Sequence, residues 1–349
     1  MTSEWRTIRA ADFIDFNPRL SLKKGDIATK VAMDKLKPFT KKIPETEKAE
    51  FNGGAKFCNG DTVMARITPC LENGKTAYVD MLDDGEIGFG STEFIVMRAK
   101  TGISDPQFVY YTAINPVFRN VAVKSMVGSS GRQRVQQSVL EELELSVPDL
   151  DEQRRIGDFL AKIDEKIALN DRINDNLEQQ AQSYFQELFV DNADPEWTTG
   201  TISDLGTVVG GSTPSKAKPE YYTESGIAWI TPKDLSNNKS KFVSHGENDI
   251  TELGLRNSSA SIMPEGTVLF SSRAPIGYIA IAAGEVTTNQ GFKSVVPKPE
   301  IGTPFVYFFL KNTLPVIEGM ASGSTFKEVS GSTMKNVPAV IPDAETLAK

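Results

Sequence analysis

Histidine is almost absent from this sequence, since His245 is the only one among 349 residues. Metal sites built on spaced His and Cys ligands are therefore excluded. A Ser-His-Asp triad would have to use that single residue, and no G-x-S-x-G elbow accompanies it. Two cysteines, Cys58 and Cys70, are too few for a disulfide framework, so we expect free thiols in a reducing cytoplasm.

Long apolar runs are also missing. No segment approaches the ~18 apolar residues that span a membrane, so no membrane association is expected. The first ten residues place Arg6 and Arg9 among polar side chains and lack an apolar core, which does not fit a secretory signal. No G-x-x-x-x-G-K-[ST] motif is present, which excludes a P-loop nucleotide site.

The net charge of −8 argues at first against binding to nucleic acid, but its distribution reverses that argument. Residues 1–147 carry 20 basic and 19 acidic side chains, and residues 195–342 carry 12 and 13. Residues 148–194 carry 5 and 12, so the acidity lies in this segment. The two flanking regions can each present one basic face. Because neither is strongly basic, we expect a partner to share the phosphate contacts.

An internal repeat organises the chain. The segment that begins at Met126, MVGSSGRQRVQQSVLEELELSVPDL, aligns with the segment from Met320, MASGSTFKEVSGSTMKNVPAVIPDA. Upstream, Phe108-Val-Tyr-Tyr matches Phe305-Val-Tyr-Phe, and the Gly-Asp-Thr-Val run at Gly60 matches Glu265-Gly-Thr-Val. Matches in the same order indicate two copies of one unit.

Each copy mixes short strands with short helices, bounded by Gly and Pro turns. The strand-like runs are 62–67, 94–97, 267–270 and 278–282, and helices are expected at 107–114 and 304–311. This pattern predicts an α+β fold with two repeated domains, each with a curled antiparallel sheet, joined by a long coiled-coil-forming helix. The predicted boundaries are 1–147 for the first domain, 148–194 for the central helical region, 195–342 for the second domain and 343–349 for the start of a further helix.

The central segment is predicted to be one helix from Asp151 to about Phe189, capped by Asp149 or Asp151. Its apolar side chains follow a heptad pattern that is typical of a coiled-coil seam. Asn170 and Asn174 lie at the centre of the seam, where a partner asparagine would fix the register. The seam consists of Ile156, Leu160, Ile163, Ile167, Asn170, Asn174, Leu177, Ala181, Tyr184 and Leu188. The alternative is a helix that packs on a globular core.

A single helix with such a seam needs a partner. The run Pro148-Asp-Leu-Asp-Glu-Gln corresponds to Pro342-Asp-Ala-Glu-Thr-Leu, so the second unit is poised to begin an equivalent helix. The sequence stops at Lys349, before that helix. We therefore expect either a truncated helix or a partner helix from another molecule, including a second copy of this chain.

Three groups of motifs resemble the specificity subunits of type I restriction-modification enzymes. The run Val147-Pro-Asp-Leu-Asp-Glu-Gln-Arg-Arg-Ile156, with the heptads after it, resembles their central conserved region. The stretch from Gly60 to Lys75 and Gly88-Phe-Gly-Ser-Thr-Glu-Phe94 resemble one class of their target recognition domains. The Gly210-Gly-Ser-Thr-Pro-Ser215 run and the Ile227–Leu235 run resemble another class. The likeness covers nearly the whole chain.

The resemblance implies a non-catalytic, sequence-specific DNA-binding subunit. Each recognition domain would read one half of a bipartite site in double-stranded DNA, and paired helices would fix the gap between the halves. Two DNA adenine methyltransferase subunits would methylate adenine with S-adenosylmethionine, and a restriction subunit would cut the DNA with ATP and magnesium. The chain departs from the family pattern in lacking the distal helix, which puts an intramolecular spacer in doubt.

Candidate DNA contacts follow from the chemistry of base and phosphate recognition. Base edges pair with forked donors or amides, and phosphates pair with cations and hydroxyls. In the first unit the candidates are Arg66, Lys75, Ser91, Thr92, Arg132, Gln133 and Arg134. In the second unit they are Lys216, Lys233, Arg273, Asn289, Gln290, Lys293 and Lys327.

Two other classes of protein remain open from the sequence. One is a self-contained DNA methyltransferase or nuclease, which would need cofactor motifs that are absent here. Asn115-Pro-Val-Phe118 and Asn17-Pro-Arg-Leu20 match the base-binding loop of methyltransferases only in part, and we expect ordinary turns there. The other is a coiled-coil assembly protein that does not bind DNA. We expect no catalytic residue, metal or cofactor in this chain.

Overall fold

The structure is a computed structural model that describes residues 4–238, 240–323 and 327–348. Within this part the chain divides into two compact units, Met1–Ile173 and Asn174–Lys349. Both combine helices with strands, which confirms the predicted α+β class. The division falls inside the long helix. The predicted boundaries at residues 147 and 194 stay predictions.

The first unit contains ten described strands and four short helices before the long helix. The strands are β1 (Arg6–Arg9), β2 (Ile14–Phe16), β3 (Ile27–Val31), β4 (Glu47–Glu50), β5 (Ala55–Phe57), β6 (Thr62–Ala65), β7 (Thr76–Tyr78), β8 (Gly88–Gly90), β9 (Phe94–Ala99) and β10 (Glu144–Val147). The helices are α1 (Ala10–Phe13), α2 (Pro106–Ile114), α3 (Pro116–Lys124) and α4 (Gln137–Glu141), with a 3-10 turn at Met33–Lys35.

These strands form three small sheets among the described residues. Their orders are β2-β9-β6-β7, β4-β3-β8-β5 and β1-β10. Most neighbours are antiparallel, as expected, but β3 and β8 run parallel. Three apolar clusters fill the unit, one around Phe13 and Phe118, one around Phe57 and a smaller one around Phe51 and Phe89.

The second unit begins inside the long helix, and its other elements follow the end of that helix. Its strands are β11 (Thr198–Thr201), β12 (Gly206–Gly210), β13 (Tyr222–Thr223), β14 (Ile227–Ile230), β15 (Phe242–Val243), β16 (Asn248–Ile250), β17 (Val268–Ser272), β18 (Ile276–Ala282), β19 (Thr287–Thr288), β20 (Lys293–Pro297) and β21 (Pro338–Ile341). Its helices are α6 (Ile202–Leu205), α7 (Pro232–Asn237), α8 (Glu252–Arg256), α9 (Thr303–Gly319), α10 (Gly331–Lys335) and α11 (Ala344–Leu347), with a 3-10 turn at Pro219–Tyr221.

The second unit repeats the sheet topology of the first. The sheets β12-β20-β17-β18-β15, β13-β16-β14-β19 and β11-β21 correspond to those of the first unit, with β13 and β15 as additions and β5 without a counterpart in the described residues. The register agrees as well. Ile14 pairs with Ala99 and Gly206 with Pro297, while Arg6 pairs with Val147 and Thr198 with Ile341. The duplication inferred from the sequence is therefore a duplication of fold.

The predicted strands and helices lie where the sequence placed them, with shifts of a few residues at their ends. The predicted helix 304–311 is longer in the structure, because α9 continues through Pro315 to Gly319. The turn expected at Asn115-Pro116 lies between α2 and α3, where the Asn115 side chain accepts a 2.8 Å hydrogen bond from the Val117 N–H and caps α3.

The long helix α5 spans Leu150–Gln186 and continues as a π-helical turn over Glu187–Asp191. Asp149 caps it, because its Oδ1 accepts a 2.9 Å hydrogen bond from the Glu152 N–H. Gln153 is fully buried, accepts from the Asp105 N–H and donates to the carbonyls of Ile103 and Pro148. These bonds fix the first turn of α5 to the first unit.

Candidate nucleic-acid interface

The first unit has an open cavity of about 560 Å³ beside the ends of β6 and β9. Three cationic side chains, Arg19, Lys56 and Arg66, line it, and no carboxylate does so among the described residues. The backbone of Arg66 is fixed by a 2.9 Å hydrogen bond to the Glu93 carbonyl. Its Nε is buried and has no hydrogen-bond partner in the described part of the chain. Most buried polar groups in proteins are hydrogen-bonded, so this unpaired donor is unusual.

Of the sequence candidates in this unit, Arg66 and Thr92 line the cavity. The Lys75 ammonium is engaged elsewhere, because it donates a 2.9 Å hydrogen bond to the Met33 carbonyl. Ser91 accepts a 3.1 Å hydrogen bond from the Glu93 N–H and shapes the turn before β9. Arg19 and Lys56 were missed in the sequence, since neither lies in a motif that resembles the family.

Three further candidates lie on the glycine-rich loop between Val127 and Arg134. Arg132 is exposed and Gln133 is partly exposed near the end of this loop. Arg134 is an ion-pair partner, with its Nε and Nη2 within 2.6–3.0 Å of the Glu93 carboxylate oxygens. The hydrogen bond from Arg134 lowers the pKa of Glu93, which keeps this carboxylate ionised.

The second unit has an open cavity of about 480 Å³. The structure brings together here five side chains from four separate stretches of the sequence. All five are candidates from the sequence: Lys216, Lys233, Arg273, Asn289 and Gln290. Thr213, Trp229 and Asn248, which the sequence did not single out, also line it. Cations, amides and a hydroxyl are the groups that contact phosphates and base edges.

Several of these side chains already have partners inside the unit. Lys233 lies 2.6 Å from Glu247, and Gln290 bonds to the Thr213 hydroxyl. Asn289 accepts a 2.8 Å hydrogen bond from the Gly291 N–H, which shapes the turn. Lys216 and Lys327 are exposed and form no ion pair within the described ranges, so their charges are available to a polyanion.

The cavities occupy equivalent places in the two units. Arg66 and Ser272 hold the same backbone position. The N–H of each donates to the turn before the neighbouring strand of the sheet, and its carbonyl accepts from the N–H of a buried valine, Val135 or Val329. Thr92 and Gln290 are the turn residues on the rim in the first and second unit. The two sites therefore share a backbone frame but differ in their side chains.

Along α5 the predicted seam remains largely uncovered within this chain. Ile163 is 42% exposed, Ile167 54%, Leu177 57% and Tyr184 63%. Ile156 and Leu160 are partly buried, Leu188 likewise, and both asparagines are exposed. An apolar stripe of this kind on a long helix is typical of a helix that pairs with another one.

Each unit holds α5 through a polar cluster that the sequence analysis did not find. In the first unit the Tyr111 hydroxyl donates a 2.6 Å hydrogen bond to Asp164, and Lys41 lies 3.9 Å from the same carboxylate. The Lys41 ammonium also lies 4.7–5.3 Å from the ring centroids of Tyr78, Tyr110 and Tyr111. Burial lowers the pKa of Lys41, and Asp164 opposes this shift.

In the second unit Glu178 is the equivalent anchor on α5. It accepts a 3.0 Å hydrogen bond from Tyr307 and forms ion pairs with Lys311 at 2.5 Å and Lys241 at 3.0 Å. Burial alone would raise the pKa of Glu178, but the bonds from Lys311, Lys241 and Tyr307 outweigh it and lower the pKa to about 2. The carboxylate is therefore charged and fully paired at neutral pH.

Two features are absent from the described ranges. No helix combines the length and apolar character needed to cross a membrane. No group of three or more His, Cys, Asp and Glu side chains is arranged to hold a metal ion.

Comparison with known protein families gives one match that covers most of the chain. The family described as "Type I restriction modification DNA specificity domain" matches residues 3–179 and again residues 195–346. The two matched segments correspond to the two repeated units.

Curated relatives and solved structures agree with this family. The chain is 41% identical to the type I restriction enzyme MjaIX specificity subunit of Methanocaldococcus jannaschii over 48% of this chain and 39% of that protein. The alignment thus spans less than half of that subunit. It is 23% identical to the HindI specificity subunit of Haemophilus influenzae over 82% of this chain and 78% of that one. The S subunit structure from M. genitalium superposes with a TM-score of 0.57 at 17% identity, covering 99% and 87% of the two chains, and thus shows the same fold.

Proposed function

Because this chain belongs to the type I restriction modification DNA specificity domain family, we propose that it is the DNA-reading, non-catalytic subunit of such an enzyme. Each unit reads one half of a bipartite site in double-stranded DNA. The observation that carries the proposal is the pair of equivalent cavities, each lined by cationic or amide side chains that differ between the units. The same frame with different donors suits recognition of two different half-sites.

The partners follow from the family and from the charge of the chain. Two DNA adenine methyltransferase subunits bind S-adenosylmethionine and carry out methylation, and a restriction subunit adds cleavage driven by ATP with magnesium. The units are close to neutral, so the methyltransferases share the phosphate contacts. Cys58 and Cys70 are unpaired thiols, which supports a reducing cytoplasm as the site of action.

The decisive experiment is to map N6-methyladenine genome-wide in cells that carry this chain with its cognate methyltransferase. We expect one bipartite motif, with two specific parts separated by a gap of fixed length. A continuous motif would contradict the two-reader proposal. Methylation that does not depend on this chain would contradict its role as the specificity subunit.

The exposed seam of α5 supports a finer proposal, in which two copies of the chain pair through this helix. The seam suits antiparallel pairing with a second copy. Asn170 would face the partner's Asn174, and Ile167 would face the partner's Leu177. The residues Ile156, Ile163, Asn170, Leu177 and Tyr184 then meet the partner's Leu188, Ala181, Asn174, Ile167 and Leu160. The asparagine side chains hydrogen-bond to each other and fix the register.

Sedimentation of the isolated chain tests this pairing. We expect a dimer at micromolar concentration and a monomer after Ile163→Glu with Ile167→Glu, because two charges would be buried in the seam. Glu165→Gln, off the seam on the same helix, is the matched control and should stay dimeric. A strict monomer for the wild type would contradict the pairing and leave the half-site proposal intact.

A further inference from the structure

The glycine-rich loop of the first unit is closed at its base by backbone pairing. Val127 and Arg134 exchange hydrogen bonds of 3.0 and 2.9 Å across it. The Gln133 carbonyl accepts from the Thr68 N–H, and the Val135 N–H donates to the Arg66 carbonyl. Gly128 has a φ of +135°, and a Cβ there would lie 2.9 Å from the Arg132 carbonyl, so the bend needs glycine. The loop thus starts and ends beside Arg66 at the cavity.

An ion pair joins the base of this loop to the rim of the cavity. The Arg134 guanidinium contacts both carboxylate oxygens of Glu93 at 2.6–3.0 Å. Glu93 follows Thr92, which lines the cavity. Because a fork of this kind uses two donors at once, it fixes direction as well as distance. The guanidinium is therefore turned towards the sheet of its own unit.

The second unit also has an ion pair at the base of its corresponding loop, but the loop residue is acidic and its cationic partners lie at other positions of the sheet. Glu328 and Ser322 exchange backbone hydrogen bonds of 3.1 and 2.9 Å, and Val329 donates to the Ser272 carbonyl. Glu328 thus occupies the position of Arg134. Its carboxylate lies 3.5 Å from Arg273, on the rim of the second cavity, and 3.7 Å from Lys293. The interaction is present in both units, while the sign of the loop charge is reversed.

We infer that Arg134 and Glu328 are positioning residues that latch the two recognition loops to their sheets, and that neither one contacts DNA. A phosphate contact would require a cation at this position, but the second unit places a carboxylate there. What the two units share is the pairing of opposite charges across the base of the loop. Arg132 lies in the exposed part of the loop and forms no ion pair among the described residues. It is therefore left as the cation that faces DNA.

The latch can be tested first without DNA, by amide hydrogen exchange on the full chain. Glu93→Gln and Arg134→Gln should each speed exchange of the Val127 and Arg134 amides by about fivefold at most, as expected for loss of an exposed ion pair. The exchanged pair Glu93→Arg with Arg134→Glu should restore slow exchange. Arg132→Gln is the matched control and should leave these amides unchanged. Equal exchange in all four variants would overturn the latch.

DNA binding then separates a latch from a contact, and this step rests on the proposed function. The probe is a duplex with the mapped methylation site, bound by the chain with its methyltransferase. If Arg134 only positions the loop, Glu93→Gln weakens recognition of one half-site, and the slope of log K against log salt stays constant. If Arg134 contacts a phosphate, Glu93→Gln frees it and strengthens binding, while Arg134→Gln reduces the slope by about one. The second pattern would overturn the inference.

The charge-exchanged variant completes the test. It should regain wild-type discrimination at the affected half-site. If Arg134 contacted a phosphate, the glutamate in its place would repel that phosphate, and the duplex would bind more weakly to it than to the single variants. Thermal melting of each variant shows whether the fold is intact. A wild-type complex that binds no duplex would contradict the proposed function instead, and the hydrogen exchange would still decide the latch.

Discussion

The hydroxyl of Tyr111, on α2, donates a 2.6 Å hydrogen bond to Asp164, on the long helix. Lys41 lies 3.9 Å from the same carboxylate and compensates its charge. Burial and this hydrogen bond raise the pKa of Tyr111, so the phenol stays protonated and remains a donor. A donor and a carboxylate in this arrangement fix the rotation of α5 about its axis relative to the first unit.

Removing that hydrogen bond should loosen the helix without unfolding the unit. We expect Tyr111→Phe to cost about 1 kcal/mol, because a partly exposed hydrogen bond to a charged group is lost while the ring packing remains. Urea unfolding measures the change. Asp158→Asn, an exposed carboxylate on the same helix, is the control. A variant as stable as the wild type would show that this hydrogen bond does not help to hold α5.

Glu178 should make the second unit sensitive to acid. Its folded pKa of about 2 lies below the ordinary value of ~4.3, so the unfolded chain binds the proton more tightly. The contribution is fully present above the unfolded pKa and is lost as the pH falls from about 4.5 towards 2. After allowance for solvent screening it amounts to about 2 kcal/mol.

The test is to measure unfolding as a function of pH for the wild type and for Glu178→Gln. The variant should be less stable at pH 7, and its stability should fall less between pH 4.5 and 2. Glu187→Gln, an exposed residue on the π-helical turn after the helix, is the control and should retain the wild-type profile. Parallel profiles for wild type and Glu178→Gln would contradict the assignment.

Gly157 should resist replacement although it lies inside a helix. A Cβ at this position would lie 2.9 Å from both Asp105 Oδ1 and Gln107 Cβ, at the start of α2. Alanine gains about 1 kcal/mol in helix propensity, but the clash displaces the cap of α2 and costs more. We expect Gly157→Ala to lower the free energy of unfolding by about 1 kcal/mol.

The control for this substitution is Gly319, at the end of α9. A Cβ there meets no atom within 4 Å among the described residues, so Gly319→Ala should be neutral or stabilising. Denaturant melts of the two variants should therefore move in opposite directions. A stabilising Gly157→Ala would show that α2 and α5 are not in close contact.

Arg66 should contribute to one half-site only. Arg66 lines the cavity of the first unit, so we expect its guanidinium to contact a base or a phosphate directly. Arg66→Ala should weaken the binding free energy by about 1–3 kcal/mol, seen as reduced methylation, and relax recognition at that half of the site. Arg6→Ala, outside the cavity, is the control. Equal losses on duplexes altered in either half would contradict the assignment of one unit to one half-site.

The periodic and repeated features of the sequence predicted the structure well. The duplication, the central helix and the exposed seam around Ile163 and Ile167 all follow from local patterns that need no knowledge of distant contacts. Such patterns could not predict contacts between residues that are distant in the sequence. Nothing near Lys75 indicates that its ammonium bonds to the Met33 carbonyl, and nothing near Arg134 points to Glu93, because these pairs form only when distant segments meet.

Gln153 and Asp164 illustrate the same limit in the central helix. Both lie in an acidic, polar stretch that is typical of an exposed helix surface. Gln153 is nevertheless buried, and Asp164 is bonded to a tyrosine 53 residues earlier in the chain. A single Gly in the helix, Gly157, was the one local signal that a close approach occurs there.

The pairing of β1 with β10, and of β11 with β21, makes each unit a closed loop of chain. Arg6 lies beside Val147, and Thr198 lies beside Ile341, so the chain leaves each unit next to the point where it entered. Insertions inside a unit therefore change its surface without moving the point at which the chain leaves it.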